Sequence, residues 1–138
     1  MFPLQTPILL AEDTEITRVI VHKMLYNLGF LNVHEVKDGK EAQDKIEAAI
    51  KLKKPYELLI IDWNMPEVTG LTLLRKLRSD PRTESVPFVM LTTNKQKHQV
   101  LEAIRSGVTT YLSKPFSVEV LRDKLKETWD VTHKRKAA

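Results

Sequence analysis

The sequence contains no cysteine. Disulfides, cysteine-ligated zinc, iron–sulfur clusters and thiol catalysis are therefore excluded. Glycine is also scarce: Gly29, Gly39, Gly70 and Gly107 are the only four in 138 residues, no two closer than ten positions. A glycine-rich phosphate loop needs several close together, so Walker-type nucleotide binding and the GxGxxG fingerprint are excluded as well. No apolar run approaches the roughly 20 residues of a membrane helix. The start, Met1 to Pro7, has neither a basic segment nor a long apolar stretch, so no secretory signal is expected.

An excess of charge of one sign is nearly absent from the body of the chain. The formal net charge is +4, and residues 122–138 hold six basic residues (Arg122, Lys124, Lys126, Lys134, Arg135, Lys136) against three acids. Most of the excess thus sits at the C-terminal end, and nucleic acid is not an expected partner. Hydrophobic residues make up 42% and charged residues 29%, which suits a soluble chain with a real core. The length predicts a single domain over 1–138, with a core of about 6–130 and a frayed basic tail at 131–138. The expected location is the cytoplasm.

What is present is an alternation of apolar runs and helical periods. Pro7–Ala11 is apolar without alternation, as in a strand buried on both faces. A helical pattern follows, with Ile16, Val19, Ile20, Met24 and Leu28 at three- and four-residue spacing and Gly29 as C-cap. Asn32–Val36 is a weak strand, and Asp38-Gly39 a turn before a helix over 41–53. Tyr56–Ile61 is the strongest strand signal. A loop from Trp63 to Gly70 leads into a helix ending near Arg78, with Leu71, Leu74 and Leu77 inward. Val86–Leu91 is a buried strand, 95–106 a helix closed by Gly107, and Thr109–Leu112 a short strand. Ser117 is the expected N-cap of a last amphipathic helix carrying Val118, Leu121, Leu125 and Trp129. Five strand–helix units at this spacing predict a parallel sheet covered by helices on both faces.

In such sheets the functional crevice lies beyond the carboxyl ends of the strands. The first strand ends in Glu12-Asp13, the third in Asp62, the fourth in Thr92 and the fifth in Lys114. Three carboxylates, a hydroxyl and an ammonium thus converge on one rim. The acids repel one another, and a hard divalent cation such as Mg2+ relieves that repulsion. With the cation present, a carboxylate can attack a phosphoryl group and form an acyl phosphate, while Lys114 and Thr92 stabilise the phosphoryl oxygens.

The motifs Ala11-Glu12-Asp13, Asp62-Trp63-Asn64-Met65-Pro66 with Gly70, Leu91-Thr92, Tyr111 and Lys114-Pro115-Phe116 fall in order, most of them at strand ends. On these the chain resembles the receiver domain of two-component response regulators, in particular the CheY-like stand-alone chemotaxis members, over about residues 6–130. The resemblance implies a (βα)5 flavodoxin-like fold with strand order 2-1-3-4-5. It implies Asp62 as phosphoacceptor, and Glu12, Asp13, Asp62 and the Asn64 main-chain carbonyl as ligands of Mg2+, for which Mn2+ can substitute. It further implies Thr92 and Lys114 as phosphoryl-oxygen partners, Thr92 and Tyr111 as the switch pair, and a cis Lys114–Pro115 bond. The implied partners are a CheA-like sensor histidine kinase, a flagellar-motor switch protein or other target on a face spanning Lys95–Trp129, and an auxiliary phosphatase. The chain would be no enzyme beyond autophosphorylation from small donors and autodephosphorylation. It departs from the family pattern at Glu12, where many members carry Asp, and at Thr93, where Ala or Gly is usual. Asn64 and Asn94 occupy the two rate-tuning positions.

Other readings fit less well. A stand-alone receiver could also act as a phosphorelay shuttle outside chemotaxis. A haloacid-dehalogenase-type phosphatase needs a second Asp two residues after the first, where this chain has Asn64. A flavodoxin-like FMN carrier wants a hydroxyl- and glycine-rich first loop, where Glu12-Asp13 would repel phosphate.

Overall fold

The computed structural model describes residues 1–93 and 97–137, the side chains of 97 and 135–137 aside. The expected helix start at Lys95, and Asn94, lie outside the described residues. Five strands alternate with five helices: β1 (Ile8–Ala11), α1 (Glu15–Asn27), β2 (Val33–Val36), α2 (Gly39–Lys51), β3 (Leu58–Asp62), α3 (Gly70–Arg78), β4 (Phe88–Thr92), α4 (Lys97–Arg105), β5 (Thr110–Ser113) and α5 (Val118–Ala137). The strands form one parallel sheet in the order β2-β1-β3-β4-β5. This is the flavodoxin-like architecture expected from the sequence.

The sheet residues divide by parity, because successive side chains of a strand point to opposite faces. Ile8, Leu10, Leu58, Ile60, Val89, Leu91 and Leu112 pack with Val21 and Leu25 of α1 and Leu121 and Leu125 of α5. Leu9, Ala11, Leu59, Ile61, Phe88 and Met90 pack with Ala42 and Ile46 of α2, Leu71, Leu73, Leu74 and Leu77 of α3, and Ala103 of α4. The two cores are therefore α1/α5 on one face and α2/α3/α4 on the other.

Three expectations need correction. Periodicity locates α1 but only part of its inner face: Met24 and Leu28 pack against the core and Ile16, Val19 and Ile20 are exposed, while Val21 and Leu25 are the buried residues. Arg18 fixes the rotation of the helix, donating to the Glu12 main-chain carbonyl at 2.7 Å and to Glu35 at 3.2 Å. The last strand is shifted by one residue, to Thr110–Ser113. Residues 131–137 are not a frayed tail but the end of α5. The buried Phe2 ring packs edge-on against Trp129, His133 stacks on Trp129, and the buried Thr132 hydroxyl donates to the Thr128 carbonyl, so this end has a core of its own.

Helices α1, α2 and α4 each end in a Schellman motif, in which the two residues after the cap donate back to the last turn. For α2 the bonds run from Lys53 N–H to Ile50 and from Lys54 N–H to Ala49. The left-handed position is filled by Gly29 after α1 and by Gly107 after α4, but by Lys53 (φ 59°) after α2. A side chain is strained there and glycine is not. Lys53→Gly is expected to raise the denaturant midpoint by about 0.5–1 kcal/mol of stability with an unchanged m value; a lower midpoint would show that the Lys53 side chain contributes more than its backbone strain removes.

Candidate functional site

Sheet register builds the site. Ala11 is opposite Ile61, so Glu12 and Asp62 emerge side by side one step later. Asp62 is opposite Leu91, and Thr92 opposite Ser113, which brings Thr92 and Lys114 to the same rim. By parity Glu12, Asp62 and Lys114 continue the α1/α5 face, whereas Thr92 follows Met90 on the α3/α4 face.

Both central carboxylates are buried, Glu12 at 0% and Asp62 at 2% relative exposure. The Lys114 ammonium lies 3.1 Å from Glu12 Oε2 and 3.1 Å from Asp62 Oδ1. It donates a hydrogen bond to Glu12, whose other oxygen accepts from the Thr14 main-chain N–H at 3.3 Å. Asp62 Oδ1 is within ion-pair distance of Lys114 but, among the described residues, has no aligned hydrogen-bond donor. Asp13 is exposed at the mouth of the site. One carboxylate oxygen from each of Glu12, Asp13 and Asp62 falls within 4.8 Å of the others, a group that can hold a metal ion. An oxygen-only donor set with an unsatisfied buried oxygen suits a hard divalent cation.

The electrostatics are unbalanced without such a cation. Burial and, next, the facing Glu12 carboxylate push Asp62 up to about 7, against the pull of Lys114. Burial alone would lower the Lys114 ammonium, but Asp62 and Glu12 outweigh it and hold it above the usual lysine range.

The Trp63–Gly70 segment closes the rim. Gly70 opens α3 with its N–H donating to the Trp63 carbonyl at 2.9 Å, and a Cβ there would lie 2.5 Å from the Asp62 carbonyl oxygen. Only glycine lets α3 start so close to the end of β3. Asn64 is exposed in this segment. The Lys114–Pro115 bond is cis. Tyr111 is 39% exposed, with the Lys124 ammonium 5.8 Å from its ring centre. It lines a narrow cavity between β4 and α4 together with Thr92 and Trp63.

Sequence reasoning missed the support behind Glu12. Arg18 binds the Glu12 main-chain carbonyl, Glu35 on β2 binds Arg18, and His22 binds Glu35. Nothing in the spacing of these residues marks them, because the contact is made between α1 and the edge strand.

The sheet order, the carboxylates at adjoining strand ends and the lysine shared between them define a class of protein, and comparison with known proteins agrees. Residues 8–126 match the family model of the response regulator receiver domain. The chain belongs to the response regulator receiver family, and its curated relatives are CheY chemotaxis proteins. It is 41% identical over 118 residues to chemotaxis protein CheY1 of Helicobacter pylori, covering 86% of this chain and 92% of the relative. It is 35% identical over 123 residues to chemotaxis protein CheY of Pseudomonas aeruginosa, covering 89% and 95%. Among solved structures, Vibrio cholerae CheY4 superposes with a TM-score of 0.80 at 29% identity, covering 90% of this chain and 98% of that one. The receiver domain of a Pseudomonas aeruginosa PAO1 sensor histidine kinase, with a magnesium ion coordinated in its active site cleft, gives 0.76 at 28% identity, covering 88% and 95%.

The raised Asp62 fixes the sign of a pH effect. Between the ordinary 3.8 and about 7 the folded chain holds a proton that the unfolded chain releases, so stability falls as pH rises through that window. Metal-free Asp62→Asn is therefore expected to be about 1–2 kcal/mol more stable than wild type at pH 8, with the difference shrinking toward pH 4. Denaturant melts at the two pH values check this. An Asn variant less stable at pH 8 would mean that the Lys114 pairing outweighs the burial of the charge.

Proposed function

We propose that the chain is a phosphorylation-switched signalling module in which Asp62 accepts a phosphoryl group from a sensor histidine kinase. The observation that carries this is the pair of buried carboxylates, Glu12 and Asp62, sharing one lysine at adjacent strand ends. An Asp62 oxygen attacks phosphorus, the bond from phosphorus to the donor's nitrogen or oxygen breaks, and the electron pair leaves with the donor. Glu12, Asp13, Asp62 and the Asn64 main-chain carbonyl would hold Mg2+, as the magnesium-bound receiver relative suggests. When bound, the cation supplies the positive charge that lets an acidic pocket accept phosphate. Lys114 is already placed to follow a charge from the Asp62 carboxylate to the phosphoryl oxygens, and the Thr92 hydroxyl takes another oxygen.

The output in this reading is a change of binding affinity. Leu101, Ile104, Tyr111 and Val120 are exposed apolar residues on α4, β5 and α5, within the expected partner face of 95–129. Single exposed apolar residues are ordinary, but four on adjoining elements suit a protein interface. Thr92 ends the strand beside Asp62 and faces the side of the sheet that carries Tyr111, so a charge added at Asp62 can bias this surface through Thr92 and Tyr111 as a shift between two populated forms. The relatives' name, chemotaxis protein, favours a CheA-like kinase and a flagellar-motor switch protein as partners, an auxiliary phosphatase for reset, and a cytoplasmic setting. No helix among the described residues is long and apolar enough to cross a membrane.

With Mg2+ and acetyl phosphate, the intact mass of the wild type should rise by one phosphoryl group, and that of Asp62→Asn should not. Labelling elsewhere in the Asn variant, or no labelling of the wild type, would refute the assignment. In Lys114→Ala the label should form without the change at Tyr111; normal switching in that variant would show that Lys114 does not couple the site to the surface.

A further inference from the structure

The cavity beside Tyr111 holds a polar atom with no partner among the described residues. Gln99 of α4 lines that cavity with Trp63, Met90, Thr92, Ala103 and Tyr111. Its side-chain Oε1 is buried and has no hydrogen-bond partner among the described residues. A buried acceptor left unpaired is costly and rare in native proteins, and calls for a reason. Donors on the cavity wall are few. Thr92 is already engaged. Trp63 is packed against the apolar core behind it. Tyr111 is the most exposed of the described lining residues, its ring beneath Lys124 at the surface.

We propose that Gln99 is the internal receiver of the Tyr111 hydroxyl: in the switched form Tyr111 turns from the surface into the cavity and donates its O–H to Gln99 Oε1. The inference rests on the proposed switch role of Tyr111 and names the residue that makes the inward form favourable. The surface form leaves that acceptor with at most a single confined water, and the inward form gives it a hydroxyl donor, so the two lie closer in free energy than packing alone would place them. The free space in the cavity is about 10 Å³, room for a water and not for a phenol ring. Entry of Tyr111 therefore requires α4 to move outward, which displaces the exposed Leu101 and Ile104 on the same helix. Gln99 thus connects the tyrosine to the surface whose affinity changes.

The test uses the full chain labelled with 3-fluorotyrosine. It has three tyrosines, Tyr26, Tyr56 and Tyr111, and the Tyr111 fluorine resonance is assigned with Tyr111→Phe. Spectra are taken with Mg2+ alone and with Mg2+ plus acetyl phosphate, with intact mass read in parallel. Gln99→Met keeps the shape and removes the acceptor; Gln99→Glu keeps an acceptor. Wild type should show a second Tyr111 resonance on phosphorylation. Gln99→Met should reach the same phosphorylated fraction, yet its inward-to-outward ratio should fall about five- to tenfold, the weight of one neutral hydrogen bond. Its unphosphorylated form should melt no lower than wild type, because the orphan is gone. Gln99→Glu should retain most of the shift. An unchanged ratio in Gln99→Met, a lower melting temperature of its resting form, or a wild-type Tyr111 that does not move despite the mass increase would each overturn the inference. Failure of the wild type to gain mass would overturn the functional reading first, and the inference with it.

Discussion

Two carboxylates are buried side by side at the ends of β1 and β3, and one ammonium is shared between them. In water two such acids would stay ionised with little mutual effect. In a low-dielectric pocket their charges repel, and one lysine cannot neutralise both. The result is an Asp62 carboxyl displaced to about 7 and an oxygen with no aligned donor. Such a site is unsatisfied by construction and needs further positive charge. In the proposed function a divalent cation meets that need and lets the acidic pocket receive phosphate.

The surrounding fold holds this arrangement in place. Parallel register sets Glu12 beside Asp62, Gly70 lets α3 begin against the end of β3, and the chain from His22 through Glu35 and Arg18 ties α1 to the Glu12 main chain. The α1/α5 face therefore carries the charge, and the α3/α4 face carries Thr92, Tyr111 and Gln99. A sheet one residue thick separates the two, so a change in charge on one side has a short path to packing on the other. No long wire through the molecule is required.

Strand ends were the most legible part of the sequence, because a buried parallel strand stops where its apolar run stops and its next residue faces the crevice. Glu12, Asp62 and Lys114 are read that way, and the resemblance to receivers implies roles for Asn64 and Tyr111. Helix rotation was less legible. In α1 two apolar stripes compete, and the choice was made by Arg18 reaching the Glu12 carbonyl, a contact with no period in the sequence. The C-terminal residues looked like a charged tail because their apolar partner, Phe2, lies at the other end of the chain. Gln99 could not be found at all, since an unpaired acceptor is defined by what surrounds it in space.

Mg2+ binding and proton release, read together by titration calorimetry in two buffers of different ionisation enthalpy, test the central charge argument most directly. If Asp62 holds a proton with a value near 7, Mg2+ binding should expel about half a proton per chain at pH 7 and close to none at pH 9. Asp62→Asn should expel none at either pH. Binding to wild type with no proton release at pH 7, or the same release in Asp62→Asn, would contradict the account of two buried carboxylates waiting for positive charge.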